Sequence, residues 1–495
     1  MRRMVSLIVF MICCFSAPFL VAEDDIVVHP NHLSFSPLEY DPPHANVHRH
    51  TLKNGVVGFF VEDHDLPLIN VRLVLKIGSY LDPLDKLGLI DCVVSLLRSG
   101  GTARWTAEAF DEEADFLAAN ILTSASLTSS NVTLNVQTKD LDRGLDLLFE
   151  MLKNPAFEKN RLNLYKSRVL QNLQRRNDRT DSIERREWVR LLRGEHPSSA
   201  QVTRATIESL SVEDLITTHR SYFHPGNFIF AISGDFDTDE IKLELEQRME
   251  NWEIGVATQP ISPPNYRPFP GIYMVNKPDV NQGRVSIGHL GIKHGNPDEF
   301  AIDLMNDILG GSGFTSRLMN RVRSDEGLAY SAASSFSAGA YYQGTFRAAF
   351  QSKSRTCAQA IQIVLDEIER MRSEKVSPSE LETVRNNAVE VFPRFFASAR
   401  IVARTFAMDQ LIGRESDYWL TYRDRLKEVT VEDIFRVAKK YLQPDQLVIL
   451  VIGNVEEILK GNPDKPEYSL EKLFSTTEIR KIPLPDPETM IYSEK

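Results

Sequence analysis

A short apolar segment carries polar side chains at a spacing that metal sites use. Residues 88–102 read GLIDCVVSLLRSGGT, a pattern that predicts a helix. Ligands four residues apart lie on one helix face and can reach the same ion, and Asp91 and Ser95 have this spacing. A catalytic zinc site needs three imidazole, thiolate or carboxylate donors and a water molecule. Ser95 is a poor zinc ligand, and Val94 cannot act as a general base. We therefore expect no working metal site here and interpret Asp91 as a solvated or capping acid.

Two hydrogen-bond donors stand seven residues apart in the second half. Residues 309–331 read LGGSGFTSRLMNRVRSDEGLAYS and contain Arg323 and Tyr330. A guanidinium offers fixed, permanently charged donors, and a phenol adds one more. The alternative is an arginine on a helix face and a core tyrosine whose hydroxyl bonds to the backbone. The glycines at 310, 311 and 313 are not followed by GK[ST], so they predict a turn rather than a phosphate loop.

These segments belong to two copies of one unit. Residues 211–235 match residues 430–454 without a gap. The aligned pairs are Val212 with Val431, Tyr222 with Tyr441, Pro225 with Pro444, and Gly234 with Gly453. Each copy predicts an N-capped helix that ends at the proline and leads into a buried strand. A repeat of this length indicates a whole duplicated domain rather than a solenoid unit.

The first copy runs from about residue 48 to about residue 252. It opens with a strand–turn–strand pattern built on Asn54-Gly55. A strand over 69–77, a helix over 107–119, a hairpin over 122–137 and an amphipathic helix over 141–152 follow. Strands followed by runs of helices favour an α+β layer over a doubly wound sheet. The second copy runs from about residue 271 to about residue 455.

The frame around the first helix resembles the M16 (pitrilysin/insulinase-like) metallopeptidases. It consists of KIGS at 76–79 and GGT at 100–102. In that family the helix carries H-x-x-E-H, and the aligned positions here are Asp91, Val94 and Ser95. The family's third ligand, a glutamate, follows after about seventy-six residues, which leads to Asn172. All four positions are changed, so the resemblance is to a relative that has lost its zinc.

The second half matches the family more closely. Its glycine turn, S-R-L, and an arginine and a tyrosine seven apart around G-L-A-Y are similar to the family pattern, and Arg323 and Tyr330 fall on the last two positions. The resemblance implies that both reach across a chamber and hold the backbone of a peptide substrate. Arg317 and Arg321 are interpreted as surface or structural residues.

The resemblance spans about residues 48–455. It implies an α+β fold of two homologous M16-like (LuxS/MPP-like) domains, each an antiparallel-rich sheet with helices packed on it. We predict these segments: a signal peptide, 1–22; an N-terminal arm, 23–47; the first domain with the degenerate zinc motif, 48–255; a proline-rich linker, 256–270; the second domain with Arg323 and Tyr330, 271–459; and a C-terminal tail, 460–495. The arm and the tail are expected to lie along the surface or to be partly disordered.

The family resemblance leads to a functional prediction with an alternative. The chain is predicted to be a non-catalytic subunit of a heteromeric zinc peptidase. It would be inactive alone, bind no cofactor itself, and pair with a zinc-bearing M16 paralogue that acts on peptide substrates. The alternative is a non-enzymatic scaffold or peptide-binding protein of the same fold. An independent hydrolase is a third hypothesis, but no nucleophile elbow or Ser/His/Asp spacing supports it.

Composition excludes nucleic acid as a partner. The net charge is −11, and no basic tract contradicts it. Arginines cluster over 168–193, but Asp178, Glu184 and Glu187 are interleaved with them. We interpret this segment as a solvated helical face.

The first 22 residues resemble a secretory signal. A basic start and an apolar stretch that Ser16 and Pro18 interrupt precede Ala22. The protein is therefore expected to be exported to the periplasm without a membrane span, or to be membrane-associated if the leader is retained. Cleavage leaves Cys92 and Cys357, which lie in different halves and are expected to be buried free thiols.

Overall fold

Two six-stranded sheets with the same strand order form the framework of the protein. The computed structural model describes residue 33, residues 39–474 and residues 478–493. Met1–Tyr40 form a separate unit, of which only Leu33, Glu39 and Tyr40 are described; the predicted signal peptide lies outside the described residues. Both sheets lie in the unit Asp41–Lys495.

The first sheet has the order β1-β2-β6-β3-β5-β4, in which only the β2–β6 pair is parallel. Its strands are β1 (Arg49–Thr51), β2 (Val57–Glu62), β3 (Leu68–Leu75), β4 (Asn120–Ala125), β5 (Ser130–Gln137) and β6 (Phe228–Gly234). Gly55, with φ of +83°, makes the turn between β1 and β2 that the sequence predicts.

The second sheet has the order β10-β12-β8-β13-β7-β14, and β13–β7 and β7–β14 are its parallel pairs. Its strands are β7 (Gly271–Asn276), β8 (Gln282–Leu290), β10 (Ala329–Phe336), β12 (Thr345–Lys353), β13 (Val448–Gly453) and β14 (Ile479–Ile482). A separate parallel ribbon joins β9 (Ile292–Lys293) to β11 (Ala338–Gly339).

Seventeen α-helices accompany the described strands. They are α1 (Ala45–His48), α2 (Leu89–Ser99), α3 (Ala107–Phe116), α4 (Leu141–Lys153), α5 (Lys159–Gln174), α6 (Thr180–Arg193), α7 (Arg204–Glu208), α8 (Val212–Tyr222), α9 (Thr238–Met249), α10 (Glu299–Asn306), α11 (Cys357–Ser373), α12 (Pro378–Val391), α13 (Ala399–Ile412), α14 (Tyr418–Glu428), α15 (Val431–Tyr441), α16 (Val455–Lys460) and α17 (Leu470–Leu473). None of the helices within the described ranges is long and apolar enough to cross a membrane.

The predicted duplication is confirmed by these elements. Ser211 and Thr430 each cap the following helix through a capping box, α8 in one copy and α15 in the other. Both helices stop three residues before the aligned proline, and a short turn then leads to a buried strand, β6 or β13. The α+β fold of two homologous domains is therefore the observed architecture.

Each domain buries one face of its sheet under its own helices. Alternate residues of β3, such as Ile69, Val71 and Leu73, point into the first core, and the second core forms in the same way around Val285 and Ile287 of β8. Cys92 and Cys357 are free and buried, as predicted.

The other face of each sheet is covered by a helix from the opposite half. Helix α6 packs on β8 and β13 of the second sheet, where Ile183 and Trp188 meet Leu450 and Ile452. Helix α13 packs on β2, β3 and β6 of the first sheet, and the Phe406 ring lies 6.0 Å from Phe59. The two helices therefore cross between the halves in a reciprocal manner.

The interpretation of residues 168–193 as a solvated face is wrong for α6. Four charged residues there are buried: Glu184, Arg186, Glu187 and Arg193. They are buried because α6 packs against the second sheet, and each finds a partner there or nearby. Glu184 accepts hydrogen bonds from Arg284, Arg347 and Ser286, and Arg193 donates to the Gln343 and Gly344 carbonyls.

The C-terminal tail contributes a strand that the sequence pattern did not predict. Strand β14 pairs in parallel with β7 at the edge of the second sheet. Beyond it, the tail contacts the first half of the chain: Asn177 donates to the Pro485 carbonyl, Arg204 pairs with Glu488, and Tyr492 donates to Glu187. The tail thus links the two halves.

Candidate functional site

Helix α2 carries the positions at which a zinc motif is missing. Its N-terminus is held by Asp82, whose carboxylate accepts hydrogen bonds from the backbone N–H groups of Gly88 and Ile90, both at 2.8 Å. Burial raises the pKa of Asp82 to about 6. The apolar residues of α2 pack into the first core, so the helix presents only one face outward. The orientation of the degenerate positions follows from this packing.

The three α2 positions have different environments. Asp91 is exposed, yet the surrounding protein limits its hydration and raises the pKa of its carboxyl. Val94 is buried in the first core with 1% of its surface exposed, and Ser95 is partly exposed. A buried valine offers no proton acceptor at this position.

The position predicted for the third ligand lies on α5, which packs against α2. Asn172 is exposed near the C-terminal end of α5. Two turns earlier, Tyr165 is buried beside α2, and its pKa is raised by burial and by the nearby Cys92 and Asp91. Burial also raises the pKa of the Cys92 thiol to about 12, so this sulfur is a neutral core atom rather than a ligand.

These residues do not fit a zinc ion. One carboxylate, one hydroxyl, one amide and one valine cannot replace the three strong donors of a catalytic site. Within residues 39–474 and 478–493, no three histidine, cysteine, aspartate or glutamate side chains are grouped to hold a metal. The four positions of the motif therefore do not provide the ligands of a catalytic zinc ion.

Arg323 and Tyr330 are brought together at the start of the second sheet. Arg323 lies in a π-helical turn (Met319–Asp325), and Tyr330 is the second residue of β10. π-Helical turns are rare and are frequent at functional sites. The Arg323 guanidinium lies 5.0 Å from the centre of the Tyr330 ring. The sequence places these two residues seven apart, and the turn between them folds them onto each other.

A third side chain completes this arrangement. The Arg323 guanidinium lies 4.7 Å from the centre of the Phe314 ring, so it sits against two aromatic rings. Phe314 follows Gly313, whose φ of +66° requires the left-handed conformation that glycine adopts without strain. Sequence reasoning did not select Phe314, although its place beside the glycine turn was a usable signal.

The exposure of the group is unusual for its residue types. Tyr330 is 85% exposed and Phe314 is 69% exposed. Tyr330 is therefore not the core tyrosine of the alternative interpretation. In solution, large exposed aromatic side chains that surround a cation mark a surface prepared for contact.

Arg323 also differs from the neighbouring arginines in its charge partners. Arg317 makes two hydrogen bonds to Glu380, of 2.7 and 3.2 Å, and Arg321 pairs with Asp325 and Glu367 at 3.5 Å. Among the residues that the structure describes, no carboxylate forms an ion pair with Arg323. Its guanidinium N–H groups remain available to an incoming carbonyl or carboxylate oxygen.

The remaining motifs have structural roles. The Nδ1 atom of His196 forms a hydrogen bond with the Ser198 hydroxyl in its own loop. Its Nε2 atom lies 2.8 Å from the Ser262 carbonyl oxygen. His219 is buried and bonds to the Leu152 carbonyl, and burial lowers its pKa. Hydrogen bonds to backbone carbonyls therefore hold both rings within the fold.

Comparison with known proteins agrees with these features. The family model for insulinase (peptidase family M16) matches residues 60–191, and the model for the peptidase M16 inactive domain matches residues 209–388. The chain is 22% identical over 415 residues to the non-peptidase homologue YmxG of Helicobacter pylori, which covers 83% of this chain and 94% of that protein. It is also 22% identical to the zinc protease PqqE of the same organism, over 82% of this chain and 92% of that protein.

A solved structure shows the same fold. The peptidase M16 inactive domain from Pseudomonas fluorescens superimposes with a TM-score of 0.75 at 23% sequence identity. The match covers 82% of this chain and 97% of that chain. A match of this extent includes both sheet-bearing halves of the molecule.

Proposed function

We propose, on the premise that this chain belongs to the M16 family of peptidases, that it is the non-catalytic subunit of a heteromeric zinc peptidase. In this proposal a zinc-bearing M16 paralogue supplies the metal and the general base. The present chain closes the substrate chamber and holds the peptide backbone with Arg323 and Tyr330. The observation that carries the proposal is the partly exposed Arg323, whose guanidinium lies against two exposed aromatic rings without an acidic partner among the described residues.

The two halves of the chain support this division of labour. The four positions of the metal motif hold Asp91, Val94, Ser95 and Asn172, which leave no donor set for zinc. The donor pair in the second half is complete, with Tyr330 exposed and Arg323 partly exposed, and it lies beside π-helical and glycine turns. A chain with no role in proteolysis would have no reason to retain one half of the machinery and lose the other.

The relatives add a second argument. Helicobacter pylori has both a non-peptidase homologue and a zinc protease among the proteins similar to this chain. Both kinds of M16 chain therefore coexist in one organism, which is the condition that a mixed assembly needs. The pairing itself is our proposal.

The chemistry of the pair suits a substrate carbonyl. Because the Arg323 guanidinium is already placed against two rings, it loses little conformational freedom when it binds a peptide carbonyl. Donors aimed at a developing oxyanion contribute roughly 10²–10³ to the rate each where the geometry holds. The aromatic rings of Phe314 and Tyr330 would also cover apolar side chains of the peptide.

Export to the periplasm is part of the proposal. The basic and apolar start of the chain, up to Ala22, supports it. Sequencing the N-terminus of the protein purified from its native extract tests this directly. A start at or near Glu23 in a periplasmic fraction supports export, and an intact Met1 in the cytoplasm contradicts it.

The first experiment is a pull-down of the tagged mature chain from its native extract, with zinc content and peptidase activity measured on the eluate. A zinc-bearing M16 partner and chelator-sensitive activity are expected. A lone, metal-free and inactive protein would contradict the support role and favour a scaffold or peptide-binding protein. Stoichiometric zinc on the isolated chain would contradict our interpretation of Asp91, Ser95 and Asn172.

Arg323→Ala tests the donor role in the reconstituted complex. We expect kcat/KM to fall about tenfold or more, because a charged donor to the substrate backbone is lost. Assembly, measured by size-exclusion chromatography, should be unchanged, because Arg323 makes no ion pair with the described residues. Arg321→Ala is the matched control, two residues away and exposed, and should keep its activity. Unchanged activity of Arg323→Ala would remove the proposed role.

A further inference from the structure

A polar cavity of about 250 Å³ lies on the face of the first sheet that α13 partly covers. Its floor comes from β3, β4, β5 and β6, and α13 forms one wall. Three asparagines line it, namely Asn70, Asn120 and Asn135. Three arginines also line it, namely Arg72, Arg400 and Arg404. The lining contains no aspartate, no glutamate and no glycine.

The three positive charges in this cavity are not neutralised. Arg72 donates from Nε to the side-chain oxygen of Asn131 at 3.0 Å, which is a neutral partner. Arg400 and Arg404 are exposed on α13, and no carboxylate in the described parts of the chain lies within ion-pair distance of either one. Burial and the positive charges of Arg404 and Arg400 lower the pKa of Arg72. Such mutual repulsion favours the binding of an anion.

The duplicated half provides an internal comparison. Helices α6 and α13 have the same length and align without a gap, Thr180 with Ala399 and Gly194 with Gly413. In α6 the buried Glu184 neutralises the arginines of the sheet that it covers. The aligned residue in α13 is Ala403, so the glutamate is missing from the first sheet.

The charge at a second aligned position is reversed. Asp181 of α6 aligns with Arg400 of α13; the pKa of Asp181 is lowered mainly by its hydrogen bond from Arg179 and to a smaller extent by Arg284 of the covered sheet. Arg185 aligns with Arg404, so this arginine is common to both helices. Two acidic residues in one copy have therefore become one alanine and one arginine in the other. One sheet face is neutralised by its own chain, and the other keeps an excess of positive charge.

We propose that the cavity formed by Arg72, Arg400 and Arg404 is a binding site for a carboxylate group, carried by an acidic residue of a peptide or by a small carboxylic acid. Guanidinium groups bind carboxylates through paired, charge-assisted hydrogen bonds. The asparagine amides add donors and acceptors for the polar atoms around the carboxylate. A volume of 250 Å³ suits one side chain of this kind rather than a large ligand.

The lining favours a carboxylate over a phosphate. Phosphate sites commonly use a concave run of backbone N–H groups at a glycine-rich turn or a helix start. Here the backbone N–H groups of β3 and β5 take part in the sheet ladders, and the donors are side chains. The inference does not depend on a partner subunit or on Arg323.

The test is isothermal titration of the full mature chain with four probes. They are acetyl-Ala-Glu-Ala-amide, its Gln counterpart, glutarate and inorganic phosphate. We expect the Glu peptide, or glutarate, to bind more weakly as salt increases, and the Gln peptide not to bind. Binding of the peptide identifies a peptide as the source of the carboxylate, and binding of glutarate alone identifies a free acid.

Variants connect the binding to the cavity. Arg400→Ala combined with Arg404→Ala should weaken binding about tenfold or more, because two charge-assisted contacts are lost. Arg185→Ala at the aligned position of α6 is the matched control and should bind like the unmodified chain. Both sets of residues are exposed, and melting temperatures would verify that each variant is folded.

Three results would overturn the proposal. They are binding of neither the Glu peptide nor glutarate, binding of the Gln peptide as tight as that of the Glu peptide, and binding that the double variant retains in full. Since the titration contains only this chain, its failure would leave the proposed peptidase role unaffected. Likewise, a mixed complex without peptidase activity would leave the proposed carboxylate site unaffected.

Discussion

Asp303 lies between two other carboxylates on one face of α10 and its continuation. Glu299 stands one turn before it and Asp307 one turn after it, so the three side chains are neighbours. Burial and these two charges raise the pKa of Asp303 to about 7, which the Arg414 guanidinium only partly offsets. Tyr418 and Tyr422 of α14 face the same carboxylates. The folded protein therefore holds a proton that the unfolded chain has lost.

Asp303→Asn should change the pH dependence of the free energy of unfolding, because the variant has no carboxyl proton at this position. Between about pH 4 and pH 7 the unfolded chain has released the proton and the folded chain keeps it, so stability falls as pH rises. The variant lacks this titration and should gain on the order of 2 kcal/mol over the unmodified chain from about pH 5 to pH 8. Urea unfolding at both pH values measures the difference. The exposed Glu382→Gln should show no such gain, and equal pH dependence in all three proteins would contradict the expectation.

Helix α6 shows how far elements could be predicted from the sequence. The repeat, the caps at Ser211 and Thr430 and the hairpin of β4 and β5 follow from local patterns, and all are present. The burial of Glu184 could not be predicted in this way. Its partners Arg284 and Arg347 lie far along the chain, and a charged helix pattern alone indicates solvent. The contact between Phe314 and Arg323 could not be predicted for the same reason, because it depends on the path of the glycine turn.

Glu184→Gln tests the packing of α6 on the second sheet. The amide keeps the shape but leaves Arg284 and Arg347 without their negative partner. We expect a loss of about 2 kcal/mol in the free energy of unfolding, because hydrogen bonds between charged groups are lost in a buried site. Arg185→Ala, on the exposed side of the same helix, should cost less than about 0.5 kcal/mol. Equal losses for both variants would show that Glu184 does not hold the helix in place.

We expect the reciprocal crossing of α6 and α13 to make Asp41–Lys495 one cooperative folding unit. Each half contributes a helix to the sheet of the other, and the tail after β14 adds further contacts from the second half to the first. Neither sheet can bury its second face within its own half. We therefore expect the two domains, which are homologous, to depend on each other for stability.

Separating the halves should show this interdependence. Residues 41–264 and 265–493, produced alone, should each lose cooperative unfolding and expose apolar surface, which calorimetry and dye binding measure. The two fragments mixed together should recover a single transition, because the crossed helices can reform their contacts. A fragment that melts alone at the temperature of the full chain would contradict the expectation.

The crossing also sets an order of events during synthesis. Trp188 and its apolar neighbours on α6 have nothing to cover until the ribosome has made β7 and β8, and their packing is complete only with β13, close to the end of the chain. The nascent first half must therefore remain incompletely folded while translation continues. A protein that reaches its final packing only after its last strands are made remains able to pass through a narrow pore for longer. A translocation channel for unfolded chains requires this property of its cargo.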